Sequence, residues 1–293
     1  MAKPHALLRA AFPYYATLGM RRVTTSPADL VACDGGDIFV LNRVDGEGGE
    51  IRRTNWKDED NGVIGNGFIW PVQMVQAPSD TLAVSDEGNH TISFWTQDGE
   101  KTDSWGDYGT GHGELNRPSG IVFDAEGNLI VADTMNHRIQ KFSVDGTYIS
   151  EFGEYGNDDG QFNMPWGTAV DSKGEMYVAD WRNDRIQKFS PEGQFMVAFG
   201  ESGDGDGQFN RPAKPAVDSQ GYIYVADWGN ERVQVLGPDG SFQLKLRGEA
   251  TVSKWAREFL DVNPDESLTR DQSNLIPDLP SHLDTPYLVS TQS

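Results

Sequence analysis

One spacing constrains this chain more than any other feature. Pro118, Asp124, Gly127, Asp133, Asn136, Arg138, Gly146, Gly153 and Gly160 recur 47 residues later. The matching set is Pro165, Asp171, Gly174, Asp180, Asn183, Arg185, Gly193, Gly200 and Gly207. A further period gives Pro212, Asp218, Gly221, Asp227, Asn230, Arg232 and Gly240. One period earlier stand Pro71, Asp86, Asn89, His90, Ile92, Gly99 and Gly106, with Ala77 and Thr91 replacing the Asp and the Arg. A weaker first copy, offset by 44 residues, contains Pro27 and Asn42. A period of this length marks an array of supersecondary units, each burying its faces against its neighbours.

Each unit reads as four short strands. In Pro165–Gln208 they are 167–170, 175–179, 185–189 and 194–199, separated by turns at 171–174, 181–184 and 191–193. The second strand is apolar on both sides rather than alternating, the pattern of a sheet covered on both faces. Four antiparallel strands per repeat, flanked by similar units, predict an all-β propeller. Composition agrees: 33 Gly, 15 Pro and 31 aromatic residues favour turns and strands over helices.

The string Pro-x-Gly, Asp-x-x-Gly, Val-Ala-Asp-x-x-Asn-x-Arg-Ile and Phe-Gly-x-x-Gly is similar to the NHL repeat. Val131–Phe142, VADTMNHRIQKF, carries the resemblance most fully. It extends over 27–248, strongest in the third to fifth copies, and implies an NHL-type propeller. Such domains are usually six-bladed. Only five copies of the second-strand motif exist, at Val40, Val84, Val131, Val178 and Val225. The expected organisation is therefore threefold. Residues 1–26 form an N-terminal segment whose 14–19 is an orphan closing strand. Residues 27–248 form five recognisable four-stranded blades. Residues 249–293 form a short helix (252–260) and an irregular tail, leading toward a sixth blade that is incomplete in this chain.

The repeated Asp86, Asp133, Asp180, Asp227, Asn136, Asn183, Asn230, Arg138, Arg185 and Arg232 are expected to be turn and blade scaffolding. The Asp would accept turn N–H groups, the Arg would pair with a carboxylate, and the Asn would take the left-handed turn position. Function is sought where the copies differ. The resemblance implies that the second-to-third turns and the inter-blade loops share one face. Those turns carry Arg43, Glu87, Thr134 with Met135, Trp181 with Arg182, and Trp228 with Gly229. Trp181, Arg182, Trp228 and Met135 are the rim candidates, an aromatic platform for a flat sugar-like or peptide ligand. Gln73, Ser119, Trp166 and Lys214 are the channel candidates. Lys214 replaces the Gly of Gly120 and Gly167, to bind an anion or to neutralise nearby Asp.

No catalytic constellation emerges. Five histidines (His5, His90, His112, His137, His282) do not supply a convergent set from three blades, so no metal site is assigned. The acidic inter-blade loops suggest Ca²⁺ but match no complete calcium loop, and no cofactor is expected. A net charge of −21 argues against nucleic acid. No stretch is long and apolar enough to span a bilayer. Cys33 is a lone thiol, which gives no sign of an oxidising compartment, and a cytoplasmic location is expected. The function expected from sequence is a non-catalytic scaffold that binds a protein or small ligand. The alternative is a propeller-type hydrolase or lyase with a divalent metal at the central axis.

Overall fold

The structure is a computed structural model that describes residues 26–33, 35–44, 48–57, 59–247 and Val262. It forms an all-β propeller of five four-stranded blades. The first blade is β1 (Pro27–Ala32), β2 (Asp37–Val44), β3 (Gly48–Asn55) and β4 (Asp60–Phe68). The second is β5 (Pro71–Gln76), β6 (Leu82–Asp86), β7 (Thr91–Trp95) and β8 (Lys101–Trp105). The third is β9 (Pro118–Phe123), β10 (Leu129–Asp133), β11 (Arg138–Phe142) and β12 (Tyr148–Phe152). The fourth is β13 (Pro165–Val170), β14 (Met176–Asp180), β15 (Arg185–Phe189) and β16 (Phe195–Phe199). The fifth is β17 (Pro212–Val217), β18 (Ile223–Asp227), β19 (Arg232–Leu236) and β20 (Phe242–Arg247). In every blade the strands lie in chain order and pair antiparallel. The closing strand expected at 14–19 and the helix expected at 252–260 lie outside the described residues. Among the described residues no helix is long and apolar enough to cross a membrane.

Burial agrees with second strands covered on both faces. All five residues of β6, β10 and β14 are buried. Apolar clusters join first to second blade (Phe39, Leu41, Ile51 with Met74, Leu82, Val84) and second to third (Ala83, Ile92 with Leu129, Val131). Others join third to fourth (Ile130, Ala132 with Met176, Val178) and fourth to fifth (Tyr177, Ile186 with Ile223, Val225). Among the described residues no such cluster joins the fifth blade to the first. Accordingly Tyr224 and Ala226 of β18 are half-buried, whereas Tyr177 and Ala179, one period earlier, are buried.

The first strands of successive blades touch each other and surround the channel. A Cβ on Gly120 would stand 2.2 Å from the Trp166 carbonyl oxygen, and one on Gly167 2.3 Å from that of Ala213. Glycine is required there by the close approach of backbones. In the equivalent place Gln73 donates from Nε2 to the Ile121 carbonyl at 2.9 Å and accepts the Ile121 N–H at 3.3 Å. Lys214 takes the same place in β17. Its Nζ reaches both oxygens of Asp29 in β1, at 2.8 and 2.7 Å.

The repeated polar residues form a fastening network. Asp133 accepts from the Asn116 N–H (2.6 Å), Asn136 Nδ2 (2.9 Å), Arg138 Nε (2.8 Å) and Gln140 Nε2 (3.0 Å). Arg138 Nη2 then donates to the carbonyls of Gly111 and Glu114 in the inter-blade loop. Asp180 with Asn183, Arg185 and Gln187 repeats this arrangement, as does Asp227 with Asn230, Arg232 and Gln234. Asp86 keeps the turn bonds, from the N–H groups of Ile69 and Trp70 and from Asn89 Nδ2, without an arginine. The expectation for the asparagines is corrected in one respect. The left-handed residue is the one that follows, as in His137 (φ 57°), Asp184 (53°) and Glu231 (52°). The asparagine instead holds the Asp and a loop carbonyl, Gly109 for Asn136 at 2.8 Å.

Candidate functional site at the channel mouth

Each second-to-third turn is bonded to the residues just ahead of an innermost strand. The Glu87 N–H donates to the Trp70 carbonyl, Met135 to Asn116, Arg182 to Asn163 and Gly229 to Asn210. These turns therefore ring one mouth of the channel. Two of the mouth's histidines are already engaged: His90 Nδ1 accepts the Arg117 N–H at 3.0 Å, and His137 Nδ1 accepts that of Met164 at 3.1 Å. Burial holds the His137 imidazole below its ordinary pKa, against the carboxylates of Asp180 and Asp133.

On the second-blade side the mouth carries Glu87, only 3 % exposed. Its Oε1 pairs with Arg117 Nη2, and its Oε2 is buried without a hydrogen-bond partner among the described residues. Arg43 comes from the first blade; its Nε donates to the Pro71 carbonyl at 2.8 Å, and its guanidinium lies 4.7 Å from the Trp70 ring centre. Burial pushes the Glu87 carboxyl above the usual range and outweighs the opposing pull of Arg117 and Arg43. Burial likewise lowers the Arg43 pKa.

The fourth- and fifth-blade side is aromatic and basic. Trp166 and Trp181 have ring centres 5.9 Å apart. The guanidinium of Arg182 lies 5.6 Å from the Trp181 centre, and that of Arg211 5.1 Å from it. Trp228 is 60 % exposed. With Asn210, Arg211, Gly229 and Glu231 it lines a cavity of about 560 Å³. The two rim tryptophans are thus connected through Arg211 rather than by ring contact.

The other candidates fall elsewhere. Met135 is exposed at the third-blade turn. Ser119 is fully buried, its hydroxyl 2.5 Å from Thr134 Oγ1 and 2.9 Å from the Trp166 carbonyl. Gln73 is buried against Ile121, and Lys214 is held by Asp29. Sequence reasoning named Glu87 and Arg43 only as turn residues and passed over Arg117 and Asp29. Their one signal was departure from the repeat. Among the described residues no three or more His, Cys, Asp or Glu converge to hold a metal ion.

Residues 110–200 match the family model described as the SMP-30/Gluconolactonase/LRE-like region, over less than half of the chain. Among solved structures, a gluconolactonase from Xanthomonas campestris is 16 % identical, with a TM-score of 0.62, covering 80 % of this chain and 81 % of that one. A virginiamycin B lyase from Staphylococcus aureus is 13 % identical (TM-score 0.57; 78 % and 72 % covered). A chain of a nidogen/laminin complex is 18 % identical (TM-score 0.60; 76 % and 80 % covered). At these identities the likeness is one of fold. No curated protein matches the sequence.

Proposed function

We propose that the chain is a propeller enzyme of the hydrolase or lyase type, acting on a small molecule at the channel mouth. The observation that carries this reading is Glu87. A buried carboxyl with raised proton affinity at a channel-mouth turn, reached once Arg117 moves aside, suits general acid–base work. Arg117 has a half-exposed side chain over a carboxylate only 3 % exposed, so it is the movable cover. An anionic substrate group would draw Arg117 off Glu87, baring the carboxylate and leaving the guanidinium to stabilise developing negative charge. The family match over 110–200 and the lyase and gluconolactonase among the fold neighbours support the enzyme reading over a non-catalytic scaffold.

The divalent ion considered for the axis does not fit these residues. Glu87 faces Arg43 and Arg117, and Asp29 faces Lys214. Cationic side chains already stand beside the carboxylates a dication would use, so no step is routed through a metal. The test is turnover of a panel of lactones and cyclic esters that carry a carboxylate or phosphate group, with neutral gluconolactone for comparison, before and after chelation with EDTA. Turnover should survive EDTA and fall about 10²–10⁴-fold in Glu87→Gln. Absence of turnover across the panel would return the chain to the scaffold reading.

A further inference from the structure

The repeat supplies an internal control for one unusual feature. Arg117 and Arg211 occupy the same repeat position, two periods apart, and both have positive φ (56° and 54°). Thirty residues before Arg117 stands Glu87, which pairs with it. Thirty residues before Arg211 stands Trp181, and Arg211 lies over its ring. At one place the protein supplies a carboxylate; at the equivalent place two blades on, it supplies an aromatic face. That face attracts the guanidinium but leaves its N–H donors unspent.

Arg182 shares this situation. Among the described residues neither guanidinium has an ion pair or a side-chain hydrogen bond. On a chain with 45 acidic residues against 24 Lys and Arg, two arginines that share one indole ring and have no acid partner stand out. Both are held in place without using their charge. The Arg211 N–H donates to Asp184 Oδ1 at 2.7 Å, and the Arg182 N–H to the Asn163 carbonyl at 3.0 Å. Asp184 is further engaged by the Ser202 hydroxyl at 2.7 Å. Beside Arg211 the exposed Trp228 offers an indole face across a cavity of about 560 Å³. That volume suits a one- or two-ring ligand. Glu231 on the same wall opposes multiply charged anions.

We propose that Arg182, Arg211, Trp181 and Trp228 form a recognition site for a small planar monocarboxylate, an aromatic or heteroaromatic acid. The carboxylate takes the guanidinium donors, as Glu87 does at Arg117, and the ring lies against Trp228. This goes beyond the catalytic reading and does not rest on any reaction at Glu87.

The experiment is titration of the full chain with sodium 2-naphthoate, followed by tryptophan fluorescence and calorimetry. 2-Naphthamide and inorganic phosphate serve as comparison probes. Naphthoate should bind, with affinity that falls as salt is added. The amide and phosphate should bind at least about tenfold more weakly, and Arg211→Gln and Trp228→Ala should each weaken naphthoate by about tenfold. Arg182→Gln, at an exposed position, gives a second reading of the charge requirement should Arg211→Gln fail to fold. No naphthoate binding, equal affinity for acid and amide, or naphthoate affinity unchanged in Arg182→Gln and Arg211→Gln would overturn the proposal.

Discussion

Glu87 is held in a state that costs the fold something. Its carboxyl is buried, one oxygen lacks a partner among the described residues, and burial raises its pKa despite two nearby arginines. A carboxyl with a folded pKa above its unfolded value stabilises the fold below the unfolded value of about 4.5. That stability is lost as pH rises through the folded value. Glu87→Gln removes this dependence, so the variant should gain thermal stability relative to the unaltered chain as pH is raised from about 4.5 toward 8. Melting both proteins across that range checks it, and a variant that loses ground with rising pH refutes the sign. A residue that costs stability at neutral pH at a channel-mouth turn is what the proposed catalytic role predicts. The turn position was legible in the sequence; the chemistry was not. One copy of a repeat that reads Glu where others read Arg, Thr or Trp gives no hint that Arg117 and Arg43 converge on it.

At the scale of the element, the Asp–Arg–Gln fastening was largely readable. Its parts recur in register, and periodicity separates architecture from chance. What the sequence could not convey was direction. Arg185 pairs with Asp180, but its Nη2 reaches the carbonyls of Asp158 and Gln161, not the acidic side chains of that loop. Asp158 therefore contributes its backbone, and the loop's acidity is incidental to the fastening. Two substitutions separate these roles. Asp180→Ala strands the buried ends of Arg185 and Gln187 and should cost about 3–5 kcal/mol. Asp158→Ala should stay within about 0.5 kcal/mol of the unaltered chain. Urea unfolding of the two variants measures both, and comparable losses would show that the loop carboxylate carries load.

Across the whole molecule the five blades are joined in two different ways. Four joints are apolar cores; the fifth and first blades meet, among the described residues, through Lys214 and Asp29. These are the same repeat position in the last and first copies, occupied by glycine in the third and fourth, where backbones abut. The sequence showed Lys214 as a departure, but Asp29 lay in the weakest copy, at an offset of 44 rather than 47, and went unmarked. The two kinds of joint should differ in strength. Phe209 is fully buried in the fourth-to-fifth core, and Phe209→Ala should cost about 3–5 kcal/mol. The Lys214 side chain is 38 % exposed, so solvent screens its pair with Asp29, and Lys214→Ala should cost about 1 kcal/mol or less. Asp29→Ala should cost more than Lys214→Ala, because Asp29 Oδ2 also accepts the Met74 N–H at 3.1 Å. The double variant should then show a coupling no larger than the Lys214→Ala loss. Denaturant unfolding of the four proteins gives that cycle, and a coupling near that of an apolar core would mean that the ion pair, rather than packing, holds the fifth blade to the first.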